Sequence, residues 1–142
     1  MSHFIKFLAV LVVTSLHPAA SFAASTNELQ AIDKALEACI ETDNSNSGMK
    51  ICTREALNDA DALLNAVYQK VNGTLAASDE QETITRLKTA QRAWIVFRDA
   101  QCQLSGAQML GGTGEQLVVL GCHYKMTTDR INELEAQFEQ ES

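Results

Sequence analysis

Long hydrophobic runs, histidine and basic charge are all in short supply in this chain, and each shortage closes a class of function. The one extended apolar run, Phe7 to Leu16, is too short to cross a bilayer, which takes about 20 residues. Of the three histidines, His3 and His17 flank that run, so His123 alone is left for the body of the protein. One imidazole cannot build a multi-histidine metal site, and a serine or cysteine nucleophile would need the same ring as its base. Beside Cys122, His123 reads as a helix-surface residue. The cysteines lack the paired C-x2-C knuckles of a zinc site, and the glycine-rich tract lacks the G-K-[ST] of a phosphate cradle and follows no strand. The acids Glu41, Asp43, Asp79, Glu80 and Glu82 are too evenly spread to nominate a catalytic pair and read as a solvated face. Neither an enzyme nor a cofactor is expected.

What is present begins with an export signal. Lys6, the apolar run, the helix-breaking Pro18 and the small-x-small Ser21-Phe22-Ala23 make a cleavable leader over residues 1–23. The mature chain is then a single domain over residues 24–142, periplasmic or secreted, with no thiol near the cleavage point for a lipid anchor and no stable membrane anchor. Losing the leader removes one of 11 basic residues and none of 18 acids, so the net charge goes from −7 to −8. Nucleic acid and anionic membrane would be repelled, and basic partners attracted.

All four cysteines, Cys39, Cys52, Cys102 and Cys122, lie in the mature part. Export and an even count read as two disulfides, for which three connectivities are open. The chain pattern narrows them. Leu29, Ile32, Leu36, Cys39 and Ile40 draw one helical stripe, which ends in the turn-forming stretch Asp43 to Gly48. Thr53 caps a second pattern through Leu57, Ala60, Leu64, Val67, Tyr68, Val71 and Leu75. Ser78 to Gln81 matches a capping box that opens a third helix, reaching about Ser105 and about 40 Å long. Ser105 to Gly114 holds four of the seven glycines and reads as a flexible loop. A last helix from about Glu115 carries Val118, Val119, Cys122, Met126, Ile131, Leu134 and Phe138; Val118 to Leu120 is also compatible with a strand. The fold class is all-α, an up-and-down four-helix bundle or close variant. That layout favours Cys39 with Cys52 and Cys102 with Cys122, one clip per hairpin.

The third helix carries the chain's only tryptophan. Trp94, Arg98 and Cys102 follow one another at i, i+4 and i+8, with Gln91 a turn earlier. An arginine on such a stripe needs an acceptor, so this helix is expected to be central and Arg98 to pair with Asp61, Asp129 or Glu133. Trp94, Tyr68 and Arg98 are read as structural.

The segments Leu64-Asn65-Ala66-Val67-Tyr68, Gln91-Arg92-Ala93-Trp94 with Arg98 and Cys102, Cys122, and Arg130-Ile131-Asn132-Glu133-Leu134 resemble the LprI N-terminal-like family over roughly residues 39 to 138. The resemblance implies an exported bacterial helical protein, and the activity attached to the family is lysozyme inhibition. This chain departs from the namesake in lacking the lipid-anchoring cysteine. Two function classes follow: an acidic binding module that blocks a basic lysozyme, or a periplasmic envelope or accessory protein with another protein partner. For the first, the candidate contact is the loop residues Gln108, Met109, Leu110, Gly111 and Gly112. The sequence leaves the oligomeric state open.

Overall fold

The structure, a computed structural model, describes residues 23–138; the leader expected over residues 1–23 lies, but for its last residue, outside them. Four α-helices follow in order, with no strand among the described residues: α1 (Ala23–Thr42), α2 (Asn46–Ala77), α3 (Gln81–Gly106) and α4 (Glu115–Phe138). Val118 to Leu120 lie inside α4. The helices α2 and α4 form the most extensive contact, α1 lies on α2, and α3 lies on α4 with a smaller contact to α2. In a simple ring of four helices α2 and α4 would face each other diagonally, so this is a variant with a central pair and two flanking helices.

The core gathers Leu29 of α1, Leu63, Leu64, Val67, Val71 and Leu75 of α2, Leu87 of α3, and Ile131, Leu134 and Phe138 of α4. Each such side chain contributes about 1.5–3 kcal/mol by leaving water. Ile131 and Leu134 are fully buried. These positions recur three or four residues apart, which keeps them on one face of each helix.

Helix boundaries correct the sequence expectation at three places. The second helix opens at Asn46, not at Thr53: Ser45 is the N-cap, its hydroxyl accepting from Gly48 N at 3.0 Å, and the Asp43 carboxylate accepts from Ser45 N at 3.0 Å. Gly48 is needed there because a Cβ would collide with the side chain and carbonyl of Asp43. Thr53 is interior, its hydroxyl donating to Met49 O at 2.7 Å.

Ser78 is not the N-cap of α3 either. It ends α2, and Asp79 adopts a left-handed φ of 59° so that Asp79 N donates to Ala76 O and Glu80 N to Leu75 O at 3.0 Å. That is a Schellman closure with aspartate where glycine is usual. Glu80 then precedes α3 without a side-chain cap.

Thirdly, the expected flexible loop shrinks. Helix α3 runs on through Gly106, buried where a Cβ would press into Val119, and a 3-10 turn takes Ala107–Met109. Only residues 110–114 connect it to α4.

The disulfides pair Cys39 with Cys52 and Cys102 with Cys122, with Cα atoms 5.7 and 5.4 Å apart. One joins the end of α1 to the start of α2 and the other the end of α3 to the start of α4. Because α2 and α3 run antiparallel, both clips sit at the same end of the molecule. One positional expectation fails: α3 is a flanking helix, not a central one. Only Leu87, Cys102 and Gly106 of α3 are buried, whereas Val96 is 70% and Phe97 58% exposed.

Candidate functional site

Two places concentrate chemistry, and the first is the inner face of α3. The period of an α-helix puts Gln91, Trp94, Arg98 and Cys102 on the side facing α2 and α4. Arg98, whose side chain is 14% exposed, donates from Nη1 to Asp61 Oδ1 at 2.9 Å and to Thr127 Oγ1 at 3.1 Å. Its Nε donates to Asp99 Oδ1 at 3.1 Å. Asp61 is therefore the acid that receives Arg98. The other two candidates are engaged elsewhere, Asp129 with Lys125 and Glu133 with Arg130.

Trp94 packs at the margin of the core between cations. The guanidinium carbons of Arg98 and Arg130 lie 5.1 and 5.9 Å from its ring centre, close enough for cation–π attraction. Arg130 Nε donates to Gln91 Oε1 at 3.1 Å. Tyr68 packs against the same core from α2. The motif residues Gln91, Trp94, Arg98 and Arg130 thus form one lock tying α2, α3 and α4 together. Each carboxylate in it faces a cation. Among the described residues, no group of histidine, cysteine, aspartate and glutamate is placed to hold a metal ion.

Sequence reasoning missed Thr127 and Asp99. Thr127 is fully buried. It sits four residues before Ile131 on the buried stripe of α4, and that register was the available signal. His123 is also not the surface residue expected from sequence. Its side chain is 20% exposed, with Nε2 buried and 4.0 Å from Asp99 Oδ1, beyond hydrogen-bond reach.

The second place is the connection after α3, which the motif lock does not touch. Met109 and Leu110 are 52% and 80% exposed. The chain beneath them is pinned: Gly112 N donates to Met109 O at 2.8 Å, Gly111 N to Glu115 Oε2 at 2.8 Å, and Glu115 N to Gly112 O at 3.2 Å. Gly111 has φ +73°, which glycine adopts without strain. Beside this turn a shallow groove is lined by Gln101, Leu104, Ser105, Ala107 and Gln108.

On the opposite flank, Tyr124 of α4 donates to Asp33 of α1 at 2.6 Å. Burial first, then the hydrogen bond and charge of Asp33, push the phenol well above its ordinary pKa. At the α1–α2 turn the hydroxyl and backbone N–H of Ser45 hold the Asp43 carboxyl below the usual carboxylate range.

This arrangement can be set beside known proteins. An uncharacterized protein of Rhizobium meliloti (strain 1021), R02472, is 36% identical over 104 residues, covering 67% of this chain and 75% of its own length. The uncharacterized protein YecT of Escherichia coli (strain K12) is 28% identical over 120 residues, 77% of this chain and 74% of its own length. No solved structure matches the chain. The profile of the lysozyme inhibitor LprI matches residues 39–134, a span that holds both disulfides, the whole α3 lock and its partners on α2 and α4, and on this match the chain belongs to the LprI lysozyme inhibitor family.

Proposed function

We propose that the protein is exported, loses its leader after Ala23 and acts in the periplasm or outside the cell as an inhibitor that blocks a basic lysozyme by protein–protein contact. Family membership supports the activity. The observation that carries the mode of contact is the pinned turn, which presents two bulky apolar side chains, Met109 and Leu110, to solvent on a hydrogen-bonded base. An anchor held in place before binding loses little conformational freedom on docking. At the same end of the molecule, Glu37, Glu41 and Asp43 are exposed on the α1–α2 hairpin. Together with the net negative charge these acids attract a basic enzyme and speed its approach, while Met109 and Leu110 slow its departure.

A turbidity assay against a panel of lysozymes tests the reading, followed by binding kinetics on whichever lysozyme is inhibited. Association should slow as salt rises, since the Debye length falls to about 8 Å at physiological ionic strength. Dissociation should respond far less. Replacing Gln108, Met109 and Leu110 with alanine should raise the dissociation rate about tenfold or more, as loss of an anchor does. Thermal stability should hold, because these side chains lie outside the core. Full inhibition by the folded triple variant moves the contact surface elsewhere. If the parent inhibits no lysozyme in the panel, the protein is instead an envelope protein with another partner.

A further inference from the structure

The outer face of α3 is apolar over the C-terminal half of the helix. Ala93, Val96, Phe97, Ala100 and Leu104 are all exposed and recur at helical spacing, on the side turned away from Arg98 and Cys102. None of the described residues covers this stripe. A single exposed apolar residue needs no explanation, whereas a continuous stripe marks a surface that meets something.

The charges on α3 narrow what it meets. The helix carries Arg86, Lys88, Arg92 and Arg98 against only Glu82 and Asp99, in a protein that is acidic overall. Arg86 is held by Glu82 and Arg98 by Asp61, which leaves Lys88 and Arg92, with the half-exposed Asp99, as the charges at the edge of the stripe. Within the stripe the residues alternate between small (Ala90, Ala93, Ala100) and large (Val96, Phe97). Small residues allow helices to approach closely, and large ones need such a recess to fill.

We infer that α3 pairs with α3 of a second copy of this chain, antiparallel, across a two-fold axis beside Val96. Antiparallel register about that point sets residues whose numbers sum to about 190 opposite one another, which lays Val96 and Phe97 of one copy against Ala93 of the second. The same register sets Arg92 opposite Asp99 on one edge, and the two-fold axis repeats that pair, as an isologous interface must. Asp99 keeps 53% of its side chain exposed while holding Arg98, and Arg92 is exposed with no ion pair among the described residues. On the same edge Lys88 meets the uncharged Gln103, so no like charges oppose one another. The contact is a short helix pair, at the small end of specific interfaces, and the association is correspondingly modest.

Sedimentation velocity on the mature protein across a concentration series is the test, combined with single-cysteine cross-linking. The parent should pass from monomer to dimer as concentration rises. Phe97→Glu and, separately, Arg92→Glu should each weaken the dimer by tenfold or more, with unchanged melting temperature because both side chains point away from the core. Val96→Cys should cross-link under mild oxidation, since the two copies of that position lie near the axis. Leu104→Cys should not, because its copies would be about 27 Å apart along the helices at the standard rise per residue. A parent that stays monomeric throughout the series overturns the proposal and leaves the stripe to a different partner. A dimer that survives Phe97→Glu, or cross-links at position 104 and not at 96, overturns the face or the register.

Discussion

Replacing Arg98 by alanine should destabilise the protein by about 3 kcal/mol, and the figure can be built from its contacts. The charge-assisted bond to Asp61 at 2.9 Å is of a kind worth about 1.5–3 kcal/mol, taken at the lower end because Asp61 is 42% exposed and solvent screens it. Stacking against Trp94 at 5.1 Å adds about 0.5–1 kcal/mol, and the buried aliphatic stem adds about 1 kcal/mol. For a domain of this size the total lowers the melting temperature by about 10–15 °C, read by circular dichroism with the disulfides intact. Arg98→Lys should recover only part, because a single ammonium cannot reach Asp61, Thr127 and Asp99 from one position. Asp61→Ala should cost less than Arg98→Ala, since Asp99 still receives the Nε. The double variant should reveal a coupling of about 1 kcal/mol between the two sites. A drop of less than about 3 °C in Arg98→Ala, or additive effects in the double variant, refutes this account of the lock. An unchanged melting temperature with lost inhibition would make Arg98 a contact residue.

Three further outcomes follow from single features. Asp79→Gly should raise stability by about 0.5–1 kcal/mol, because glycine adopts the left-handed C-terminal position of α2 without the strain an aspartate bears there; chemical denaturation measures it, and a loss of stability would mean that Asp79 makes a contact worth more than its strain. Removing the Cys102–Cys122 pair by double alanine substitution should cost roughly 3 kcal/mol, as expected for a closed loop of this length, and a change below about 1 kcal/mol would show that α3 docks on α4 without the clip. Tyr124 holds its proton more tightly in the folded state than in the unfolded chain, where a phenol titrates near pH 10, so its contribution is complete below that pH and is lost as pH climbs towards the higher folded value. Tyr124→Phe should remove that alkaline decline, and identical stability profiles for the two proteins above about pH 10 would count against the Asp33 contact as its cause.

Much of the architecture was legible because the buried stripes of α2 and α4 are regular. Leu57, Ala60, Leu64, Val67, Val71 and Leu75 occupy the positions their spacing assigned, and so do Ile131, Leu134 and Phe138. Disulfide pairing followed from helix order alone. Helix ends were less legible, since they turn on geometry that one-dimensional patterns share. Asp43 to Gly48 has the composition of a turn, yet Ser45 with a glycine three residues later also starts a helix. Ser78 to Gln81 spells a capping box, but the left-handed Asp79 between its members spends Ser78 on ending α2. Asp61 was legible only as one of three acids. Choosing it takes the packing angle of α3 on α2 and α4, which no local spacing encodes.

The misplacement of α3 has a physical origin of its own. A helix that is apolar on all sides is normally buried on all sides, and the broad apolar content around Trp94 reads that way. In the folded chain that content divides into two stripes on different sides of the helix. The inner one, Ile84, Leu87 and Trp94, meets the core, and the outer one, Val96, Phe97 and Leu104, meets solvent. Helix α1, the other flanking helix, shows what an edge helix needing no partner looks like: its outward positions include Glu28, Lys34, Glu37 and Glu41, all exposed. The two flanks of one bundle therefore follow opposite rules. The α1 flank is acidic and solvated, suited to drawing in a basic partner, and the α3 flank is apolar with a cationic edge. If α3 becomes an inner helix only when a second copy adds the missing layer, its central position is a property of the pair and not of the single chain. Both stripes of α3 then obey the same burial rule, one within the chain and the other between chains.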